Sequence, residues 1–250
     1  MKDNNINKEL NIAKSAALKA GNLLLENKED LYEVISSTSK DIKLKADILA
    51  EKEIKGIIQN ESDYPILAEE SGFSSKSISN TFWVVDPLDG TANYARNIPI
   101  CCVSIALVSD LKPILGVIYD FINNDLYEGS IFTKALLNSK EISVSKVKNS
   151  HDGVLITGLP NNTDYSDSTL LKMIKDFQNW RKVRMIGSAA MASAYVASGR
   201  ADIYKEKKTY LWDIAAGAAI VNAAGGEAVI TNQNEDLQVD VQFSNSTIVD

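Results

Sequence analysis

The chain has one histidine, His151, and two cysteines, Cys101 and Cys102, in 250 residues. A histidine nucleophile or a zinc cluster therefore lacks raw material. His151 sits in a polar connector, where an exposed side chain without catalytic work is the ordinary outcome. The cysteines are adjacent. Neighbours on a strand point to opposite faces, so a disulfide between them is not expected, and both read as small buried apolar residues of a reducing compartment. Basic residues are outnumbered, 26 to 33, for a net charge of −7. That argues against nucleic acid as the primary partner, which calls for a basic face. It leaves room for an anionic small molecule, because a bound cation inverts the local field. No apolar run is long enough to span a bilayer, and no basic start leads into an apolar stretch. A soluble cytoplasmic protein without a membrane partner is expected.

Proline is scarce too, with five in the chain, and one of them marks the stretch that organises the rest. Trp83-Val84-Val85-Asp86-Pro87-Leu88-Asp89-Gly90-Thr91 begins apolar and β-prone, as a buried strand does. Pro87 has no backbone N–H and is expected to end that strand. Asp86 and Asp89 stand three residues apart at its exit. Gly90 and Thr91 follow, where a helix can begin and leave N–H groups free. Hard cations take oxygen ligands, and phosphate takes N–H groups at a helix start. Two aspartates in this spacing, met alone, are more often an Asp-capped turn. Here further acids with matching context lie on both sides.

Ile6, Leu10, Ala13, Ala17, Ala20 and Leu24 recur every three or four residues, which predicts a helix over 5–27. A short strand is expected over 31–35, a polar connection over 36–40, and a second helix whose face is Ala50, Ile54, Ile57 and Ile58. Asp47 falls near that helix start, where an N-cap or first-turn acid is common. A strand over 65–68 ends in Glu69 and Glu70. Strands over 103–108 and 114–119 form a hairpin with a longer loop, and 125–129 and 142–144 continue the sheet. The polar segment 146–153 joins two closely packed halves, 1–146 and 147–250. The second half alternates strand (154–157, 183–186, 201–204, 227–230) with helix (170–177, 189–198, 213–223), and 206–210 reads as a polar loop. The small-residue runs 189–194 and 215–219 suggest close helix packing. The class is α/β.

Three segments together resemble the inositol monophosphatase-like family of magnesium-dependent sugar-phosphate phosphatases. They are Leu67-Ala68-Glu69-Glu70-Ser71-Gly72, the stretch Asp86 to Thr91, and Trp212-Asp213-Ile214-Ala215-Ala216-Gly217 with Ala224-Gly225-Gly226 behind it. The similarity runs from about residue 10 to about residue 246. It implies an αβαβα layered sandwich, a homodimer, and two or three Mg²⁺ ions, with Mn²⁺ as the second candidate. By the resemblance Glu69, Asp86 and the Leu88 carbonyl hold one ion, Asp86, Asp89 and Asp213 a second, and a third binds beside Glu69. Gly90 and Thr91 N–H groups hold the phosphate, Asp47 and the Thr91 hydroxyl orient the attacking water, and Glu70 acts from behind the ligands. Gly187, Ser188 and Ala189 match the substrate-facing turn, and Glu206 the acid that binds a substrate hydroxyl. Tyr210 replaces the histidine of the animal enzymes. The segment 129–139 carries fewer glycines than the family usually does.

Four acids brought together without a cation repel: two unit charges about 4 Å apart at an effective dielectric of about 20 cost roughly 4 kcal/mol. Bound divalent metal would neutralise them and the phosphate, acidify a water and stabilise the leaving alkoxide. Phosphoryl transfer asks for positioning and charge neutralisation more than covalent help. The expected activity is hydrolysis of a small sugar or polyol phosphate monoester. Two alternatives stand beside it. One is a phosphatase for a bisphosphate, either adenosine 3',5'-bisphosphate or fructose 1,6-bisphosphate. The other is a regulatory partner of the transcription machinery, as some bacterial relatives are. Lys205, Lys207 and Lys208 read either as a solvated loop or as contacts to a second phosphate.

Overall fold

The computed structural model describes residues 3–31, 33–37, 42–74, 80–159 and 165–248. The N-terminal apolar spacing becomes α1 (Asp3–Glu26), and all six of the residues that define it are buried. A short helix, α2 (Lys28–Leu31), takes the start of the segment expected to be a strand, and β1 (Val34–Ser37) begins only at Val34. It pairs antiparallel with β2 (Ile42–Leu44). Of the expected polar connection, Ser36 and Ser37 belong to β1, and 38–40 lie outside the described residues. α3 (Lys45–Glu61) buries Ala50, Ile54, Ile57 and Ile58 against α1.

β3 (Ile66–Ala68), β4 (Gly72–Phe73) and β5 (Thr81–Asp89) follow. Pro87 does not end β5. The strand runs on to Asp89, and its pairing with the next strand slips between Asp86 and Asp89. A bulge is one of the few places where a sheet tolerates a residue without an N–H. α4 (Thr91–Ala95) starts directly after it, and Gly90 supplies the left-handed turn at φ 87°.

The antiparallel run continues through β6 (Cys102–Ser109), β7 (Lys112–Asp120), β8 (Asp125–Ser130), β9 (Thr133–Leu137) and β10 (Lys140–Glu141). The β6–β7 connection is a two-residue turn rather than the longer loop expected. Asp110 and Leu111 have φ of 49° and 62°, the pair of positive angles that matches strand twist in a tight hairpin. No strand forms over 142–144. Ile142 and Val144 donate single backbone hydrogen bonds to Ala135 and Ala224 instead, and β9 and β10 extend the sheet in their place. The eight-stranded order is β10-β9-β8-β7-β6-β5-β3-β4, antiparallel except where β3 meets β5.

A single 3₁₀ turn over 150–152 carries His151, which is exposed. The second half then contains β11 (Val154–Thr157), α5 (Asp167–Phe177), β12 (Lys182–Met185), α6 (Ala189–Ala197), β13 (Ile203–Tyr210), α7 (Leu211–Ala223), β14 (Glu227–Thr231) and β15 (Gln238–Ser244). Its sheet order is β12-β11-β13-β15-β14. Residues 206–210, expected as a loop, complete β13, and a register shift between Glu206 and Thr209 lets Lys207 and Lys208 bulge out.

α1 and α3 cover one face of the large sheet, and their core runs from Ile6 to Phe121. The opposite face packs with α6, α7 and the second sheet into a core that joins Phe82 and Ile118 to Ile214 and Phe243. On the second sheet, Phe177 of α5 packs with Leu155, Trp180 and Ile203. The sequence of layers is helix, sheet, helix, sheet, helix. The small-residue runs serve close approach: a Cβ on Gly116 of β7 would lie 2.2 Å from the Ala216 carbonyl of α7, and one on Gly217 would lie 2.2 Å from Ser193 of α6.

Candidate active site

Chain exits from several elements meet at one cavity of about 290 Å³. β5 brings Asp86 and Asp89 there. β3, parallel to β5, ends one residue before Glu69. α7 delivers Asp213 from its first turn, and α4 opens with Thr91. Of the residues singled out from the sequence, Glu69, Asp86, Leu88, Asp89, Gly90, Thr91, Gly187, Ser188, Ala189, Glu206 and Asp213 all line this cavity. Asp47, Glu70 and Tyr210 do not. Among the described residues, no lysine, arginine or histidine lines the cavity.

Asp86 and Asp89 are buried, Asp213 is half-buried, and Glu69 faces the cavity solvent. Burial, joined by mutual repulsion at Glu69, Asp86 and Asp213, raises the pKa of each. Desolvation and then the charges of Glu69, Asp89 and Asp213 push Asp86 well above the usual carboxylate range. Desolvation and then Asp213 do the same to Glu69, which shares a hydrogen bond with Asp86. Glu69 is open to the cavity solvent, so repulsion is the firmer of its two causes. Asp213 is raised to about 7 by desolvation and then by Asp89. It is fixed by the Thr209 hydroxyl and the Tyr210 N–H, which donate to its Oδ2 at 2.8 and 2.9 Å. Asp89 is also raised by burial, opposed by donors from α6. Ala190 N–H reaches its Oδ2 at 2.8 Å.

Asp47 has two occupations. Its Oδ2 accepts the Leu44 N–H at 2.6 Å, the back half of a capping box at the start of α3. Its Oδ1 is 2.9 Å from the Thr91 hydroxyl. Thr91 Oγ1 is also 2.9 Å from the Leu88 carbonyl, so its one proton has two acceptors. Burial pushes the Asp47 pKa up to about 6, against the lowering effect of Leu44 and Thr91.

The substrate-side residues are placed unevenly. Glu206 lines the cavity, packed against Gly158, and accepts a hydrogen bond from the Tyr204 hydroxyl at 3.1 Å. Burial raises its pKa to about 7. Ser188 caps α6: its hydroxyl donates to Asp89 Oδ2 and accepts the Met191 N–H at 3.2 Å. Tyr210 is stacked on Trp212, rings 4.7 Å apart and nearly parallel, outside the cavity lining. Glu70 turns away to pair with Lys43. Lys205 is paired with Asp176 at 2.9 Å.

Sequence reading missed four residues that organise the site. Glu51 lies four residues after Asp47 on α3 and binds the Glu70 N–H at 2.9 Å. Thr209 holds Asp213. Tyr204 holds Glu206. Asn93 Nδ2 donates to the carbonyls of Ile100 and Ile186, both at 2.8 Å, tying α4 to the Gly187 turn. Helical spacing was the available signal for Glu51, and alternation along β13 for Tyr204, two residues before Glu206.

Among the described residues no three carboxylates already converge as a closed ligand set. The donor chemistry nevertheless fits a hard divalent cation. All four acids offer oxygen, all are raised by one another or by burial, and among the described residues no side-chain cation lines the cavity to neutralise them.

A five-layer stack of helices and sheets with acids gathered at the strand exits is the frame of the sugar-phosphate phosphatases. Within that class the chain belongs to the inositol monophosphatase family, whose model matches residues 5–248. A Nus factor SuhB of Xylella fastidiosa is 40% identical over 221 residues, covering 87% of this chain and 80% of the relative. The Nus factor SuhB of Escherichia coli K12 is 36% identical over 223 residues, with coverage of 87% and 83%. Among solved structures, an inositol monophosphatase from Anabaena (Nostoc) superimposes with a TM-score of 0.83 at 32% identity, covering 96% of this chain and 92% of that one. The extragenic suppressor protein suhB of Bartonella henselae gives 0.83 at 32%, with 92% of each chain covered.

Proposed function

We propose that this chain is a divalent-metal-dependent phosphatase that hydrolyses a small sugar or polyol phosphate monoester and releases inorganic phosphate. The observation that carries the reading is the set of four acids lining one cavity with no side-chain cation among its described lining residues, beside the Gly90–Thr91 helix start. Glu69, Asp86, Asp89, Asp213 and the Leu88 carbonyl are the groups to hold Mg²⁺ or Mn²⁺. When bound, the metal supplies charge neutralisation for phosphate and leaving group and a more acidic water. The first N–H groups of α4 lack intrahelical acceptors and serve the phosphate oxygens. Thr91 passes its proton toward Asp47, which frees the hydroxyl oxygen to accept from the attacking water and orient it. Glu206, anchored by Tyr204, takes a substrate hydroxyl. Tyr210, whose N–H holds Asp213 and whose ring stacks on Trp212, shapes preference from outside the lining.

The test is phosphate release against a panel of inositol phosphates, hexose phosphates, fructose 1,6-bisphosphate and adenosine 3',5'-bisphosphate. Turnover of a monoester with Mg²⁺ and its loss in excess chelator are expected. Full turnover in chelator would end this reading, and preference for a bisphosphate would replace the substrate class.

A second reading has its own observation, since several curated relatives bear the name Nus factor SuhB. A role as a partner of the transcription machinery does not need the acids. Polymerase components retained equally by the wild type and by Asp86→Asn would support it.

A further inference from the structure

Glu51 is a carboxylate that the reaction above leaves unused, yet it is buried. Burying an acid is costly unless it is bonded, and Glu51 has two partners. Its Oε2 accepts the Glu70 N–H at 2.9 Å, and its Oε1 is 3.6 Å from Lys55 Nζ, one turn along α3. Lys55 Nζ also donates to Ser71 Oγ at 2.7 Å. Helix α3 therefore grips the turn 69–71 at two points. The other side of that turn is held by β5, where the Glu69 N–H donates to the Val85 carbonyl at 3.1 Å. Residues 47, 51 and 55 form one row at helical spacing. The first of them holds Thr91, and the next two hold the peptide and side chain that follow Glu69. One rigid helix thus sets both cavity-lining turns, and neither Glu51 nor Lys55 lines the cavity.

We propose that Glu51 is a positioning residue for Glu69. By taking the N–H of the next residue, it fixes the turn from which the Glu69 carboxylate enters the cavity, and the Lys55–Ser71 bond reinforces that grip. The inference rests on the reading that Glu69 helps to hold divalent metal. Only an acceptor oxygen is required of Glu51, so glutamine should serve nearly as well as glutamate. Alanine leaves the Glu70 N–H without its acceptor and frees the turn.

The experiment uses the full chain as wild type, Glu51→Gln, Glu51→Ala and Lys55→Met. Melting temperature and phosphate release are each followed against Mg²⁺ concentration. The Glu51→Ala protein should need about 10–100-fold more Mg²⁺ to reach half of its thermal shift, the usual effect of losing a group that orients a ligand. Its kcat should recover at saturating Mg²⁺. The Glu51→Gln midpoint should stay within about threefold of wild type, since the hydrogen bond is kept, and Lys55→Met should fall between the two. A Glu51→Ala protein with lowered melting temperature at every Mg²⁺ concentration and an unmoved midpoint would show that Glu51 only stabilises the fold, and would overturn the proposal. If Glu51→Ala does not fold, Lys55→Met decides, and an unmoved midpoint there overturns it equally. A wild type that responds to Mg²⁺ in neither assay sinks the metal reading itself and this inference with it.

Discussion

Asp47 shows how one side chain can satisfy two explanations that looked exclusive. One oxygen caps α3 through Leu44, and the other meets the Thr91 hydroxyl. An asparagine oxygen can still accept the Leu44 N–H from this first-turn position, so Asp47→Asn should not lower the melting temperature. The amide is a far weaker proton acceptor. A positioned general base contributes about 10²–10⁴-fold, and kcat should fall by about that factor with the Mg²⁺ midpoint nearly constant. Measuring kcat, metal midpoint and melting on this one variant separates the tasks. An unchanged kcat would leave Asp47 as a cap alone. Asp86 differs, because it is bonded to Glu69 and repelled by two further acids. Asp86→Asn should abolish turnover, and wild-type rates at limiting Mg²⁺ would show that the site is misplaced.

At the scale of elements, the site depends on how closely α7 can lie on the large sheet, since α7 carries Asp213. Gly116 makes that approach possible: an added methyl would collide with the backbone of Ala216, which cannot swing aside as a side chain can. Gly116→Ala should destabilise by about 1–3 kcal/mol, as overpacking does, and a melting temperature equal to wild type would refute the contact. This packing was legible in the sequence as runs of small residues. So were the acids, because each ends an apolar run or opens a helical one, and strand exits gather functional groups in α/β folds. What stayed hidden was tertiary. Pro87 read as a strand end because the bulge that accommodates it depends on pairing with β6. Residues 206–210 read as a loop because Lys207 and Lys208 interrupt alternation, and only the partner strand β15 reveals the register shift. The Asp110–Leu111 turn carried no glycine to announce its two positive φ angles. Ser188, matched by resemblance to a substrate-facing turn, does line the cavity, but its hydroxyl is engaged by α6 and Asp89, which only the tertiary structure reveals.

For the molecule as a whole, the site is a reservoir of charge held at a cost to folding. Burial and neighbouring acids hold Asp213 and Glu206 at about 7 and Asp47 at about 6, whereas in the unfolded chain such groups titrate near about 4. Between those limits the folded state binds more protons than the unfolded one. Stability then falls as pH rises, because the slope follows the protons bound by the unfolded state minus those bound by the native state. The contribution is fully present below about pH 4, declines through the folded-state values, and is gone above about pH 8. Metal-free protein should therefore melt at progressively lower temperature from about pH 5 to about pH 8. Divalent cation acts in the opposite sense, since it binds the ionised acids and only the folded chain gathers them. Saturating Mg²⁺ should raise the melting temperature most at the alkaline end and flatten the profile. Overall self-repulsion from the net charge of −7 works in the same direction, so the wild-type slope alone does not locate the effect. Asp213→Asn and Glu206→Gln each remove one charge and one raised titration. Both should flatten the metal-free profile, but only Asp213→Asn should also weaken the response to Mg²⁺. Melting curves of the wild type and both variants across pH, with and without Mg²⁺, read all six cases. A metal-free slope left intact in both variants would place the charge cost on the surface rather than in the cavity.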